Sequence, residues 1–270
     1  MKIESIPILV FFLIVCIIVV ASIEIGYLIG NSVHKKSVKK RELFEEKESP
    51  VSGISGSVLG LLVFILVFTF SIVSERYDNK RRLVREEANA IRTAWFRTDF
   101  LPEPDRGKSK ELLKEYVAMR SDVIQAAKSN QMKELMAKST KIQDQLFDIA
   151  VVNARKDMNS DVAALYIESL NEMINFHFER VSIGLQVRIP NGIWLILFVL
   201  MVFSMFTVGY QTAIANSSRT WLSAVLAISF SLVVTLIAVL DRPQTDFLTI
   251  SQQSMIDLNT YINQEMTQKK

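Results

Sequence analysis

Leu62, Leu66 and Phe70 fall four residues apart inside one long uncharged run, so on a helix they would stack along a single face. Phe64 and Phe68 make a second row with the same spacing. If several copies of the chain surrounded an axis, either row would form an apolar constriction of the kind that gates by dewetting. Lipid-facing and helix-packing segments carry such rows too. Upstream, Ser52-Gly53-Ile54-Ser55-Gly56-Ser57-Val58-Leu59-Gly60 repeats small residues at helical spacing. Gly56 and Gly60 would let another helix backbone approach closely, within one chain or between copies. Downstream the run meets Arg76, Lys80, Arg81, Arg82 and Arg85, interspersed with Glu75, Asp78, Glu86 and Glu87. At a pore mouth the cations would attract anions and the carboxylates would partly cancel them. Arg76, Arg82, Glu86 and Glu87 are the candidate mouth charges.

Other chemistry finds little support. His34 and His177 lie in different segments, and neither has a second histidine or a cysteine at helix-face spacing, so no metal site is expected. His177 follows Met173 by four residues and reads as a satisfied core or rim histidine. Cys16 is the only cysteine, which excludes a disulfide framework, and Val15 before it is too large for a lipoprotein box. The sequence has no phosphate-binding loop, no dinucleotide fingerprint and no nucleophile elbow, so neither enzymatic activity nor a cofactor is expected. Glu24 reads as an interfacial carboxylate near the end of the first apolar run, whereas a proton-coupled pump would place charge at the centre of a span. A net charge of +3 spread along the chain gives no sign of a nucleic-acid partner.

The elements that must position the rows are set by hydropathy. Half of the 270 residues are hydrophobic and 22% are charged, and the apolar ones gather into four blocks, 6–23, 54–73, 193–210 and 221–240. Each is about 18 to 20 residues without a charge, the length a helix needs to cross a bilayer. The blocks are apolar all round, which excludes the alternating strands of a β-barrel. The fold class is therefore all-α: a four-span helical membrane protein with a helical-bundle domain between spans 2 and 3. Residues 1–73 hold spans 1 and 2 with a basic loop, 74–189 the bundle, 190–243 spans 3 and 4, and 244–270 a polar tail. A signal peptide is the alternative for the first block, with Lys2 as its basic start and Val19-Val20-Ala21 as a cleavage site.

Within 74–189 the apolar spacing is helical throughout, with only Gly107 and Gly184 as glycines. The first helix continues span 2 to about Thr98, with Tyr77, Val84, Ala88, Ile91 and Trp95 as its packing stripe. The prolines of Leu101-Pro102-Glu103-Pro104 then stop it. Three helices follow. The first, near 106–127, is led by Leu112, Leu113, Tyr116, Val117, Val123 and Ile124, with Arg120 read as a snorkelling rim residue ahead of the alternative, a buried and paired one. The second, near 131–156, is led by Leu135, Ile142, Leu146 and Ile149, and the third, near 161–182, by Val162, Tyr166, Met173, Ile174 and Val181. The tail is amphipathic through Phe247, Ile250, Ile256 and Leu258 and is expected against the bundle or the membrane surface.

The stretch from Gly60-Leu61-Leu62-Val63-Phe64 through Phe70, then Ser74-Glu75-Arg76-Tyr77-Asp78 and Glu87-Ala88-Asn89-Ala90-Ile91-Arg92-Thr93-Ala94, resembles the bestrophin-like family of bacterial and plant membrane proteins. Leu101-Pro102-Glu103-Pro104, Glu115-Tyr116-Val117, Pro190 before Trp194, and Leu240-Asp241-Arg242-Pro243 extend the likeness over most of 53–243. The family is distantly similar to the bestrophins, pentameric anion channels with four spans and a helical cytosolic domain between spans two and three. Their apolar neck lies on span 2, which would carry over to Leu62, Leu66 and Phe70. The resemblance implies a homo-oligomer, a pentamer by analogy, conducting inorganic anions across a lipid bilayer. Two departures stand out. No tryptophan pair follows Arg76, and Asp241 and Asp246 alone do not make a calcium site, so calcium gating is not implied.

The expected function is an oligomeric ion channel of bestrophin-like type, anion-conducting, with span 2 lining the pore. The alternative is a non-conducting scaffold or sensor whose stripe Val84, Ala88, Ile91, Trp95 docks a partner. A transporter is less favoured because the spans lack central charges and proline breaks. The expected location is a bacterial inner membrane. The basic residues beside span 2 favour a cytosolic domain, against Lys35, Lys36, Lys39, Lys40, Arg41, Lys47 and Arg219 on the other side.

Overall fold

A computed structural model describes residues 6–39, 45–122, 131–186, 188–217, 221–242 and 248–268. Among the described residues all regular structure is helical: α1 (Ile8–Lys39), α2 (Glu45–Arg97), α3 (Asp105–Ser121), α4 (Met132–Ala154), α5 (Asp161–Val181), α6 (Asn191–Ile214), α7 (Leu222–Asp241) and α8 (Gln253–Gln268). A 3-10 turn, Thr98–Phe100, ends α2, and a π turn, Ser182–Gln186, follows α5. Four helices carry stretches long and apolar enough to cross a membrane: Ile8–Lys35, Pro50–Phe100, Asn191–Ile214 and Leu222–Asp241. The chain divides into two compact units. Unit 1 joins Met1–Tyr77 with Arg188–Leu248, and unit 2 joins Asp78–Val187 with Thr249–Lys270.

Unit 1 is the membrane bundle, and its apolar core includes Phe11, Val15, Val19, Leu62, Leu66, Trp194, Leu197, Met201 and Val234. Its tightest contact joins α1 to α6. A Cβ placed on Gly26 would lie 2.0 Å from the Phe206 carbonyl oxygen, and one on Gly209 would lie 2.0 Å from that of Ile23. Gly30 faces the Tyr210 carbonyl at 2.7 Å on the same count. Lipid tails give helices no hydrophobic reason to associate, so close backbone packing supplies the attraction. The glycines therefore sit inside α1 without ending it, and α1 runs to Lys39 where a loop from residue 30 was expected. Glu24 accordingly lies within the candidate span Ile8–Lys35, half-buried, and not at its end. Two buried hydroxyls, those of Ser22 and Thr69, are satisfied within their own helices, donating to the carbonyls of Ile18 and Ile65, each at 2.7 Å.

Unit 2 packs the lower part of α2 with α3, α4, α5 and α8. Ala88, Ile91 and Trp95 are buried in one core with Leu113, Tyr116, Val117, Ile142, Leu146, Tyr166, Leu170 and Met173, and Val84 is buried too, as the helical stripes imply. Val162 departs from its stripe and is 44% exposed. Ser160 begins α5 as its N-cap, its hydroxyl accepting from Ala163 N at 3.2 Å. The C-terminal segment forms α8, which lies in this unit and packs on α3. Met255, Leu258 and Ile262 are its buried face, while Ile256 points outward. The expected contributions of Val123, Ile124, Pro243, Asp246 and Phe247 lie outside the described residues, as do Lys2, Lys40, Arg41 and Arg219 and the side chains of Lys36, Lys39 and Lys47.

Candidate functional site

The two rows on span 2 separate cleanly. Leu62 is fully buried and Leu66 is 5% exposed, both in the core of unit 1, so the chain's own helices cover them. Phe70 is 38% exposed and belongs to a different face. Side chains four apart turn about 40° past a full turn at each step, so the row drifts around the helix instead of following one surface. Leu62 and Leu66, expected in the pore row, therefore face the chain's own bundle. Phe64 and Phe68, the alternative row, are each 61% exposed, with ring centroids 6.0 Å apart. The bare face of α2 in unit 1 runs through Gly53, Gly56, Ser57, Gly60, Phe64, Val67, Phe68 and Ser71. A Cβ on Gly53, Gly56 or Gly60 would meet nothing within 4 Å. Among the described residues, Gly56 and Gly60 thus make no packing contact, and the close helix crossing belongs to Gly26, Gly30 and Gly209.

The other side of α2 is tied to its own bundle. Ser204 Oγ donates to the Val58 carbonyl at 3.2 Å, and Gln211 Nε2 donates to Ser52 Oγ at 3.1 Å. At the far end Arg76 donates to Asp241 Oδ1 at 3.3 Å, and the same oxygen accepts from the backbone N–H of Ile189 at 2.9 Å. The carboxylate at the end of α7 thereby fixes both α2 and the approach to α6. Arg242 next to it donates to the Ile6 carbonyl at 2.6 Å, pinning the start of the described chain. Arg76 is thus engaged in an ion pair, which changes its standing as a mouth charge.

Within unit 2, Arg82 and Glu86 form an exposed pair at 3.2 Å, one turn apart on α2. Glu87, expected as a mouth charge, lies in the interior of unit 2. It is fully buried, and Arg120 on α3 grips it through Nε and Nη2 at 2.8 and 2.9 Å. Arg180 on α5 donates to the same carboxylate and, through its other nitrogen, to Gln252. Tyr116 donates its hydroxyl to Glu87 at 3.1 Å, accepts from Gln143 of α4 at 3.0 Å and lies 3.2 Å from His177 Nδ1. One carboxylate therefore gathers α2, α3, α5 and, through Tyr116 and Arg180, α4 and the lead into α8. Burial and the charge of Glu87 push the Tyr116 hydroxyl well above the usual tyrosine range. Burial opposes the charge on Arg120, yet Glu87 outweighs it and raises the guanidinium; for Arg180 burial prevails and lowers it. Arg120 is 1% exposed, a buried paired arginine and not a rim residue. His177 is 2% exposed and satisfied, as expected.

Arg120 and Glu87 escaped the sequence reading as partners, though a signal existed. Each interrupts an apolar stripe, Glu87 between Val84 and Ile91, and Arg120 after Leu113 and Val117. Opposite charges on two stripes that must both be buried are best satisfied by each other.

These features define an all-helical membrane protein with a four-span bundle and a second helical unit between spans 2 and 3. Residues 16–255 match the Bestrophin-like domain, and the chain belongs to that family. No curated protein and no solved structure is found to match it.

Proposed function

We propose that the chain is a subunit of a homo-oligomeric channel that conducts inorganic anions, with the bare face of α2 lining the pore. The observation that carries this reading is the composition of that face. The exposed sides of α1 and α7 are branched and aliphatic, as lipid requires: Leu9, Leu13, Ile17, Leu28 on one, Leu222, Val225, Ile228, Leu232 on the other. The exposed side of α2 has Ile54, Leu61 and Val63 at its flanks, but its middle begins with Gly53, Gly56, Ser57 and Gly60, then narrows to Phe64, Val67 and Phe68. Small residues offer lipid little to pack against, but they let copies approach or leave room for water, and the aromatic ring after them supplies a constriction. The bestrophin-like family supports the same reading, with the apolar neck on span 2 moved from Leu62 and Leu66 to Phe64 and its neighbours. Ion flux through purified protein in liposomes tests it, with chloride and potassium gradients applied separately. Selective flux is expected, and its absence from folded oligomers would oppose the proposal.

A scaffold or sensor is the second reading, and the stripe first assigned to docking cannot serve it. Ala88, Ile91 and Trp95 are consumed by the core of unit 2, and Val84 is buried at 2% exposure. What favours it instead is exposed apolar surface around the start of α5, where Met158 is 81% exposed and Val162 and Leu165 are 44% and 41%. Co-purification of a stoichiometric partner, lost in Met158→Glu, together with absent flux would select this reading.

A further inference from the structure

Six cations lie on the stretch of α2 from Arg76 to Arg92: Arg76, Lys80, Arg81, Arg82, Arg85 and Arg92. The structure sorts them. Arg76 is held by Asp241, Lys80 is buried at 6% exposure, and Arg82 is neutralised by Glu86. Arg81, Arg85 and Arg92 are exposed, and among the described residues no carboxylate pairs with any of them. Arg92 lies over the ring of Phe96, with its guanidinium carbon 5.6 Å from the centroid, a contact that leaves its charge uncompensated. On a helix these positions share one side, since steps of four and seven residues return to nearly the same angle. They rise about 6 and 10.5 Å from one to the next. Two of the four carboxylates that sequence alone sets against them are spent, Glu87 enclosed by Arg120 and Arg180 and Glu86 paired with Arg82, while Glu75 at the end of unit 1 is exposed. Asp78 alone remains exposed among the acids of this part of α2 in unit 2.

We infer that Arg81, Arg85 and Arg92 form the anion-attracting face that sets the charge preference of conduction. The inference rests on the channel reading above and names the groups that would make its ion negative. Repeated around an axis by several copies, free guanidiniums of one sign focus the field, and small anions concentrate along them. Arg82 is a matched control, because it is the same residue type on the same helix with its charge already answered.

The test is the chloride-to-potassium permeability ratio of the full chain in liposomes, for wild type, R82Q and the triple variant R81Q/R85Q/R92Q. All four positions are exposed, so glutamine leaves the fold intact. Wild type should prefer chloride, R82Q should match it, and the triple variant should lose about tenfold of the preference. The wild-type preference should also shrink as ionic strength rises, since exposed charges are screened beyond about 10 Å at 0.1 M salt. A triple variant that conducts with wild-type preference, or a wild type that prefers potassium, overturns the inference and leaves the channel standing. A wild type that passes no ion overturns the channel reading, and this inference falls with it.

Discussion

The two units solve the same problem of joining helices by opposite means. In unit 1 the closest joint is made by removing side chains, with Gly26 and Gly30 of α1 against α6 and Gly209 of α6 against α1. In unit 2 the joint at the centre is made of charge, one carboxylate shared by two arginines and a tyrosine. The difference follows from solvent. Water rewards the burial of the apolar stripes in unit 2, and that burial can carry the cost of desolvating an ion cluster which fixes the register of the helices. A bilayer offers no such reward, so contact area and backbone approach must hold unit 1. The contrast also explains α2. Its unit 1 portion keeps a bare face of small and aromatic residues, while the inward side of its unit 2 portion is consumed by the core.

Bulk at the glycine joint should break this contrast most severely. Gly209→Leu would drive a side chain into the Ile23 backbone, and the expected outcome is loss of folded, extractable protein by size-exclusion chromatography. Gly56→Leu makes the same change into open space and should leave the protomer folded. Removing the ion hub comes next. Glu87→Leu strands Arg120 and Arg180 and should cost about 3 to 5 kcal/mol in unfolding measurements on unit 2. Trp95→Phe keeps an aromatic ring but loses the 2.8 Å hydrogen bond from Nε1 to Glu265 that helps dock α8, together with part of the buried indole, and should cost about 1.5 to 3 kcal/mol by the same measurement. Arg82→Ala breaks only an exposed pair and should cost about 0.5 kcal/mol or less.

How far the sequence reaches depends on the range of the interaction. Four spans, the helical unit between them and the stripes of α2 to α5 are legible because burial imposes a period on neighbouring residues. Which glycine pair meets a helix is not legible: Gly26-x-x-x-Gly30 and Gly56-x-x-x-Gly60 have the same spacing, and only the position of α6 distinguishes them. The same holds for the rows on span 2. Leu62 and Phe64 are equally apolar, and which one is covered depends on where α1 and α6 lie. Glu87 illustrates the reverse error, because its place in a run of charges suggested a solvated mouth while its partners stand 33 and 93 residues away.

The central claim is that the bare face of α2, and not the Leu62 face, borders the conducting path. It is tested most directly by single cysteines at positions 64 and 66 in a Cys16→Ser background, with chloride flux measured before and after a charged thiol reagent. Modification of Phe64→Cys should abolish or sharply reduce flux, and Leu66→Cys, enclosed in the protomer core, should be untouched. Flux that is indifferent to modification at position 64, or blocked only at position 66, would contradict the account.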